Sequence, residues 1–364
     1  MALTIARVDV ATLDIPMKKP FGIAGGAHEL ARNVLVTVEL EDGTRGIGEA
    51  APLPVFDGET QELAIEAIER AKPKLVGVDA GAWFADLPDA IEEATSPIGS
   101  AACALETAVL DAFARARGRS LREIFGGAET WLVTDVTITT GTIEEAVAEA
   151  RAFAEFSTLK IKVGASDVDT DVARVLAIRD ARPDARLLLD ANASLDVDRA
   201  LRMLDELAKH RCVPALFEQP ISIRGDALGA LDALAEIRKR SSVPVAIDES
   251  ARNAGDVIRA QRAGAADVVN VKLMKAGVRN AMEVAVAARS CGLGLMIGGM
   301  VEARVAMGTS ACFAAGLGGF SFVDLDTPLF LAKDPFEGGY AQDGARIDLR
   351  PIKAGHGCEL RSET

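Results

Sequence analysis

The sequence predicts an α/β protein, a barrel of parallel strands alternating with helices, capped by an α+β unit. Three observations predict it. From Trp131 onward, eight short β-branched runs recur with starts 22 to 29 residues apart. Most gaps between them hold Ala-, Glu- and Arg-rich stretches of helical composition. Before Trp131 the order differs: strand-like runs come first and helical runs after, as in an α+β unit. Eight strand candidates alternating with helices define a TIM-type barrel, here of modified (β/α)7β form. The expected division is 1–130 as cap, 131–326 as barrel, and 327–364 returning to complete the cap.

In the cap, residues 4–16 alternate loosely, and the runs 33–40 and 46–49 flank Glu41-Asp42-Gly43, a hairpin signal. Between the first two strands lies the glycine-rich stretch from Pro20 to His28, suited to a flexible lid or to an ordinary surface connection. Helical patterns follow over 59–74, 80–94 and 98–117, the last ending at Gly118.

The barrel strands are expected at 134–140, 158–164, 186–192, 215–220, 244–250, 266–273, 294–300 and 320–326. Thr142 and Glu145 offer a capping box at the start of the first intervening helix. An open doubly wound sheet is the structural alternative. Neither GxGxxG nor GxxxxGK[ST] occurs, so dinucleotide and P-loop binding have no support.

The chain has 364 residues, 49% hydrophobic and 26% charged, ordinary for a globular protein. Its net charge of −14 argues against binding nucleic acid or an anionic membrane surface. The longest uncharged window, Val305 to Val323, contains four glycines and reads as a buried helix and strand rather than a membrane span. MALTIARVDV lacks the pattern of a secretory signal, and the five scattered cysteines suit reduced thiols; both predict a cytoplasmic location. The chain is compatible with a homo-oligomer.

Barrel strands are buried on both faces, so charges inside them need a reason. Lys160 and Lys162 are two apart and share one face of the second strand. The third run ends in Asp190 and Asn192, the fourth in Glu218, and the fifth in Asp248 and Glu249. The sixth carries Lys272, and the eighth ends in Asp324 and Asp326. All fall near the carboxyl ends, where barrel enzymes build their sites. Asp190, Glu218 and Asp248 lie on consecutive strands and can converge, an oxygen-only set suited to Mg²⁺. Taken singly, each could instead cap a helix or pair with an arginine.

Lys162 and Lys272 stand on strands two and six of eight, hence on opposite sides. Two bases flanking one carbon beside a Lewis acid can remove a proton from one face and return it to the other. Lys160 and the metal would lower the base pKa toward the working range. A lone lysine could instead pair with a carboxylate or form a Schiff base, as in an aldolase.

Lys160-Ile161-Lys162, Asp190-Ala191-Asn192, Glu218-Gln219-Pro220, Asp248-Glu249-Ser250 and Lys272-Leu273-Met274-Lys275 resemble the enolase superfamily, muconate-lactonizing subgroup. The resemblance covers nearly the whole chain. It implies Mg²⁺ on Asp190, Glu218 and Asp248, an acid–base pair in Lys162 and Lys272, and Lys160 assisting at the substrate carboxylate. Asn192 and Glu249 would support these groups. The mandelate racemase branch would need a His base, and none of His28, His210 or His356 falls on a barrel run.

Within that subgroup Asp324-Leu325-Asp326 resembles the dipeptide epimerases. A dipeptide's carboxylate and ammonium stand about 7 Å apart when extended. Carboxylate on Mg²⁺, Cα between the lysines and ammonium on Asp324 and Asp326 is a consistent pose. An N-succinylamino acid or a muconate would leave the two acids unpaired. Such a racemase or cycloisomerase is the enzymatic alternative, and an inactive peptide-binding barrel the non-enzymatic one.

Thr137 matches a family position close to the substrate, and Met300 ends the seventh run. Ala-Glu epimerases carry an Arg where this chain has Gly26, so no cation in that loop is left for an acidic side chain. Phe21, Ile23 and Phe56 predict a hydrophobic second residue, and Asp57 keeps a basic one open.

Overall fold

The computed structural model describes residues 3–23, 26–164 and 167–361, with the backbone alone for 21–23 and 26–28. The cap opens with an antiparallel sheet of β1 (Ile5–Ile23), β2 (Gly26–Leu40) and β3 (Arg45–Ala50), in that order. The predicted β2–β3 turn is present, and Gly43 at φ +84° takes the left-handed conformation that favours glycine. The stretch expected as a loop from Pro20 is instead paired from Phe21↔His28 to Ile23↔Gly26. Pro16 and Pro20 lack N–H groups, and the register shifts between Pro16 and Phe21. There Met17 bridges to Leu331 of the returning C-terminal segment.

Helices α1 (Pro54–Asp57), α2 (Gln61–Leu75), α3 (Leu87–Thr95), α4 (Gly99–Ala116) and α5 (Leu121–Ile124) follow. The helix expected over 80–94 is two elements. Asp79 caps a short 3₁₀ turn, Ala80–Phe84, and a new helix starts at Leu87 with Pro88 in its first turn. Helix α4 presses onto β3 so closely that a Cβ on Gly46 or Gly48 would lie 2.1 or 2.0 Å from its backbone.

A short strand β4 (Trp131–Val133) precedes the barrel. The barrel runs β5 (Val136–Ile138), α6 (Ile143–Ala152), β6 (Thr158–Lys162), α7 (Val168–Ala181), β7 (Arg186–Asp190), α8 (Val197–Lys209), β8 (Leu216–Glu218), α9 (Ala227–Arg240), β9 (Val245–Ile247), α10 (Ala254–Ala263), β10 (Val268–Val271), α11 (Val278–Ser290), β11 (Gly294–Ile297), α12 (Arg304–Leu317) and β12 (Phe320–Val323). All eight strands pair in parallel in chain order, and each falls within its expected run. The Thr142–Glu145 capping box opens α6. A 3₁₀ turn, Thr327–Phe330, follows β12 where an eighth barrel helix would stand, which is the (β/α)7β form. The first and last strands meet through individual hydrogen bonds: Asp135 N–H donates to Val323 O (2.8 Å) and Leu325 N–H to Thr134 Oγ1 (2.9 Å).

Register sorts the barrel interior into layers. Lys160, Leu188 and Leu216 form one row, and Lys162, Asp190 and Glu218 the next above it. Leu188, Leu216, Ala246, Val268, Met296 and Phe322 pack together in the interior. Counting by twos from these residues reaches Asp190, Glu218, Asp248, Asn270 and Lys272, Met300, and Asp324 and Asp326. The same inward faces are apolar at depth and ionisable at the mouth.

The C-terminal segment adds β13 (Phe336–Gly338), β14 (Ala341–Asp343), β15 (Arg346–Asp348) and β16 (Cys358–Leu360). Leu331, Phe336 and Cys358 pack with Ile15 and Leu35 of the cap sheet and Val305 of α12. Strands β14 and β15 pair onward to β4.

Candidate active site

At the barrel mouth, Lys160 and Lys162 project inward from β6, as their spacing predicts. Lys160 is buried and meets three carboxylates, Asp324 Oδ2 at 2.6 Å, Glu218 Oε2 at 2.9 Å and Asp190 Oδ2 at 3.0 Å. Lys162 Nζ lies 2.7 Å from Asp190 Oδ2. Across the barrel, Lys272 Nζ stands 2.8 Å from Asp248 Oδ2, an ion pair without hydrogen-bond alignment. The structure thus brings Asp190, Glu218 and Asp248 to one rim, with Lys162 and Lys272 on either side.

Other groups fix these side chains. Lys275 donates to Asp248 O (2.8 Å), Asp248 Oδ1 (3.1 Å) and Asn270 O (2.8 Å). Asn270 Nδ2 donates to Glu218 Oε1 at 2.7 Å. Gln219 Oε1 accepts from the N–H groups of Asp248 and Ser250, tying the loops after β8 and β9 together. Asn192 N–H donates to Asp190 Oδ1 at 3.0 Å, and Asn192 sits at φ +41° to do so.

Without a bound cation, Lys160 and Lys272 sit among acids that hold them charged. Burial lowers the pKa of Lys272, but Asp248 outweighs it and holds the ammonium above its ordinary value. Lys160 is likewise held charged by Asp190, Asp324 and Glu218 against burial. Burial raises Asp190 and Asp248, but the lysines outweigh it and hold both below the carboxylate range. Burial and Asp190 push Glu218 up, and burial beside Asp248 pushes Glu249 up to about 8. Asn192 Oδ1 and Glu249 Oε2 are buried and accept no hydrogen bond.

Asp324 and Asp326 reach the same place from β12. Asp326 Oδ2 accepts from the backbone N–H of Thr137 at 2.5 Å, so Thr137 meets the site through its main chain. Burial and neighbouring Asp324 raise Asp326 to about 7.

A cavity of about 770 Å³ opens over the lysines and the β12 acids, with Asp190, Glu218 and Asp248 packed behind its lining. Lys160, Lys162, Lys272, Asp324, Asp326, Thr137, Asn192, Glu249 and Met300 line it, and Leu53, Phe56 and Asp57 close it from the cap. The Phe56 ring lies between two cations, Lys272 Nζ at 5.4 Å and Arg252 Cζ at 5.5 Å from its centroid. Asp57 is paired with Arg252 at 3.5 Å, which argues against its serving a basic substrate side chain. Arg224 donates to Val55 O and Phe56 O. The side chains of Phe21, Ile23 and Gly26 lie outside the described residues.

Sequence reasoning missed several groups. Arg224 and Arg252 sit on loops, where one cation among many carries no signal. Asp135 is legible in principle, as an acid opening a buried strand, but it stands at the amino end, away from the face where barrel sites form. Asn270 is a polar residue within a barrel strand, a signal of the same kind.

An inward-facing acid and lysine cluster at the mouth of a (β/α)7β barrel beneath an α+β cap defines a class of proton-transfer enzymes. The matched family models agree. Residues 5–126 match the mandelate racemase / muconate lactonizing enzyme N-terminal domain, and residues 142–364 the enolase C-terminal domain-like family. The chain belongs to the mandelate racemase / muconate lactonizing enzyme family of the enolase superfamily. It is 45% identical to an aromatic dipeptide epimerase of Herpetosiphon aurantiacus, over 99% of this chain and 100% of that protein. It superposes at TM-score 0.93 on a mandelate racemase/muconate lactonizing enzyme from Roseiflexus sp., 48% identical over 100% and 99% of the two chains. It also superposes at TM-score 0.92 on a dipeptide epimerase from Enterococcus faecalis solved with Mg and L-Leu-L-Tyr, 28% identical over 98% and 99% of the chains.

Proposed function

We propose that this protein is a dipeptide epimerase that inverts the Cα of the C-terminal residue by 1,1-proton transfer, on dipeptides with a hydrophobic second residue. The observation that carries this reading is the pair Lys162 and Lys272, from opposite barrel strands into one cavity, with Asp324 and Asp326 at its β12 side. One lysine, as the free amine, takes the Cα proton on its face. The other, as the ammonium, donates a proton to the opposite face, and solvent exchange restores the starting protonation. Asp324 and Asp326 bind and orient the substrate ammonium. Lys160 holds Asp324, Glu218 and Asp190 in place.

The residues fit a divalent cation. Asp190, Glu218 and Asp248 are a buried oxygen-only set on neighbouring strands. Mg²⁺ held there would supply counter-charge to the substrate carboxylate as the Cα proton leaves. Asp135, Asp324 and Asp326 also group closely. This reading gives Asp324 and Asp326 to the substrate ammonium and leaves the cation to Asp190, Glu218 and Asp248.

Phe56, Met300, Leu53 and Ile223 give the cavity an apolar wall, and the Herpetosiphon aurantiacus relative is named for aromatic dipeptides. A cytoplasmic setting belongs to the same reading, with all five cysteines free. The test is a mass-spectrometric screen of pooled L,L-dipeptides with Mg²⁺ in D₂O. Deuterium gained at the C-terminal Cα of hydrophobic dipeptides is expected. Labelling of N-succinylamino acids instead would overturn the substrate class and leave the lysine roles intact.

A further inference from the structure

The seam where the barrel closes holds a third acid that the proposed reaction does not use. Asp135 lies two residues before Thr137 and so faces inward on the same strand path, one step deeper. It is 2% exposed, and neither carboxylate oxygen meets a hydrogen-bond donor. One oxygen from each of Asp135, Asp324 and Asp326 lies within 4.8 Å of the others.

The donors nearby are committed elsewhere. Lys160 Nζ is divided among Asp324, Asp190 and Glu218. Thr137 N–H serves Asp326, and the Thr134 hydroxyl donates to the Asp135 and Val323 carbonyls. Three carboxylates therefore face one shared ammonium. A substrate ammonium on Asp324 and Asp326 would add a second positive charge and leave one negative charge unmatched. Buried carboxylates grouped this closely without a donor hold a proton between them instead of all ionising.

We propose that Asp135 is a neutral carboxylic acid that donates its proton to Asp324, fixing the Asp324–Asp326 pair without adding a third negative charge. It is a positioning residue, since Asp324 and Asp326 line the cavity and Asp135 does not. The role assigned to the pair rests on the dipeptide reading; the proton on Asp135 does not. Burial first, then Asp324 and Asp326, push Asp135 well above the ordinary carboxyl value, with Lys160 the opposing charge.

The experiment is infrared difference spectroscopy of the whole protein at neutral pH, wild type minus Asp135→Asn, in H₂O and D₂O, without substrate. A protonated-carboxyl band that shifts in D₂O and is absent from the variant is expected. A difference confined to ionised carboxylate bands overturns the proposal. With a dipeptide that the wild type turns over, Asp135→Ala should raise KM about tenfold with kcat within about threefold. Asp135→Asn, whose amide still donates to Asp324, should restore KM to within about threefold. Equal damage in both variants would also overturn it. If no dipeptide is turned over, the substrate reading fails while the infrared result still decides the proton.

Discussion

In the proposed reaction two lysines flank the reacting carbon, and a third arranges the acids around them. All three lysines line the cavity, but Lys162 and Lys272 each meet one carboxylate at Nζ within ion-pair distance. Lys160 meets three and is 1% exposed. Replacing Lys272 by Ala should lower epimerisation by about 10²- to 10⁴-fold, the usual worth of general acid–base catalysis. Lys162 should still exchange the Cα proton of the L,L-dipeptide for deuterium without inverting it, read by NMR and chiral chromatography. Inversion at the wild-type rate would remove Lys272 from the chemistry. Asp326→Asn should act on binding instead. Losing a charge-assisted contact worth about 1.5–3 kcal/mol raises KM about 10- to 100-fold with kcat little changed. At this scale the ionisable residues were legible because a charge in a buried strand is conspicuous. Their partners were not, since Lys160 draws its carboxylates from β7, β8 and the end of β12, which no local spacing relates.

At the scale of elements, the short helix α1 is held over the mouth by barrel loops. Arg224 grips its backbone and Arg252 pairs with Asp57 while stacking on Phe56. Arg252 is about a third exposed, whereas the Asp57 side chain is 8% exposed. Removing the arginine strands a mostly buried acid whose pKa burial already raises, Arg252 being the nearby charge that lowers it. Arg252→Ala should cost about 1 kcal/mol, well under the loss for a fully buried pair because solvent screens the guanidinium. Asp57→Asn in the same chain should recover part of it. Denaturant melts of the two variants and the double variant check this, and strict additivity would mean the two residues do not interact. The barrel elements were legible because period and interval repeat eight times. The cap was less so: the break between the 3₁₀ turn at 80–84 and α3 hangs on one Pro and one Asp, and the far end of the β1–β2 hairpin has a loop's composition.

Across the whole molecule, cap and barrel are joined by buried carboxyls, and these set how stability follows pH. Glu49 on β3 accepts from Asn33 and from the N–H groups of Ala303 and Ala306 at the start of α12. Burial nevertheless outweighs those bonds and raises Glu49 to about 7, and it raises Glu106 and Glu302 to about 8. A carboxyl whose pKa rises on folding keeps a proton that the unfolded chain gives up. Stability therefore falls as pH climbs from about 4.5 toward 8. Asp190, Asp248 and Asp324 work in the opposite sense. Their lysines hold them below 3.8, and what they contribute is lost as pH falls through and below that value. The metal-free protein should thus be most stable in mild acid, near pH 4–5, by urea unfolding across pH. Mg²⁺ should reverse part of the loss at neutral pH if, as proposed, it binds the folded rim of Asp190, Glu218 and Asp248 and not the unfolded chain. At 100 times its dissociation constant the gain is about 2.7 kcal/mol, a rise of a few degrees in Tm that chelation removes. Glu218→Gln should lose most of that rise. If Glu218→Gln kept it and Asp324→Asn lost it, the cation would belong to the seam acids and not to the rim.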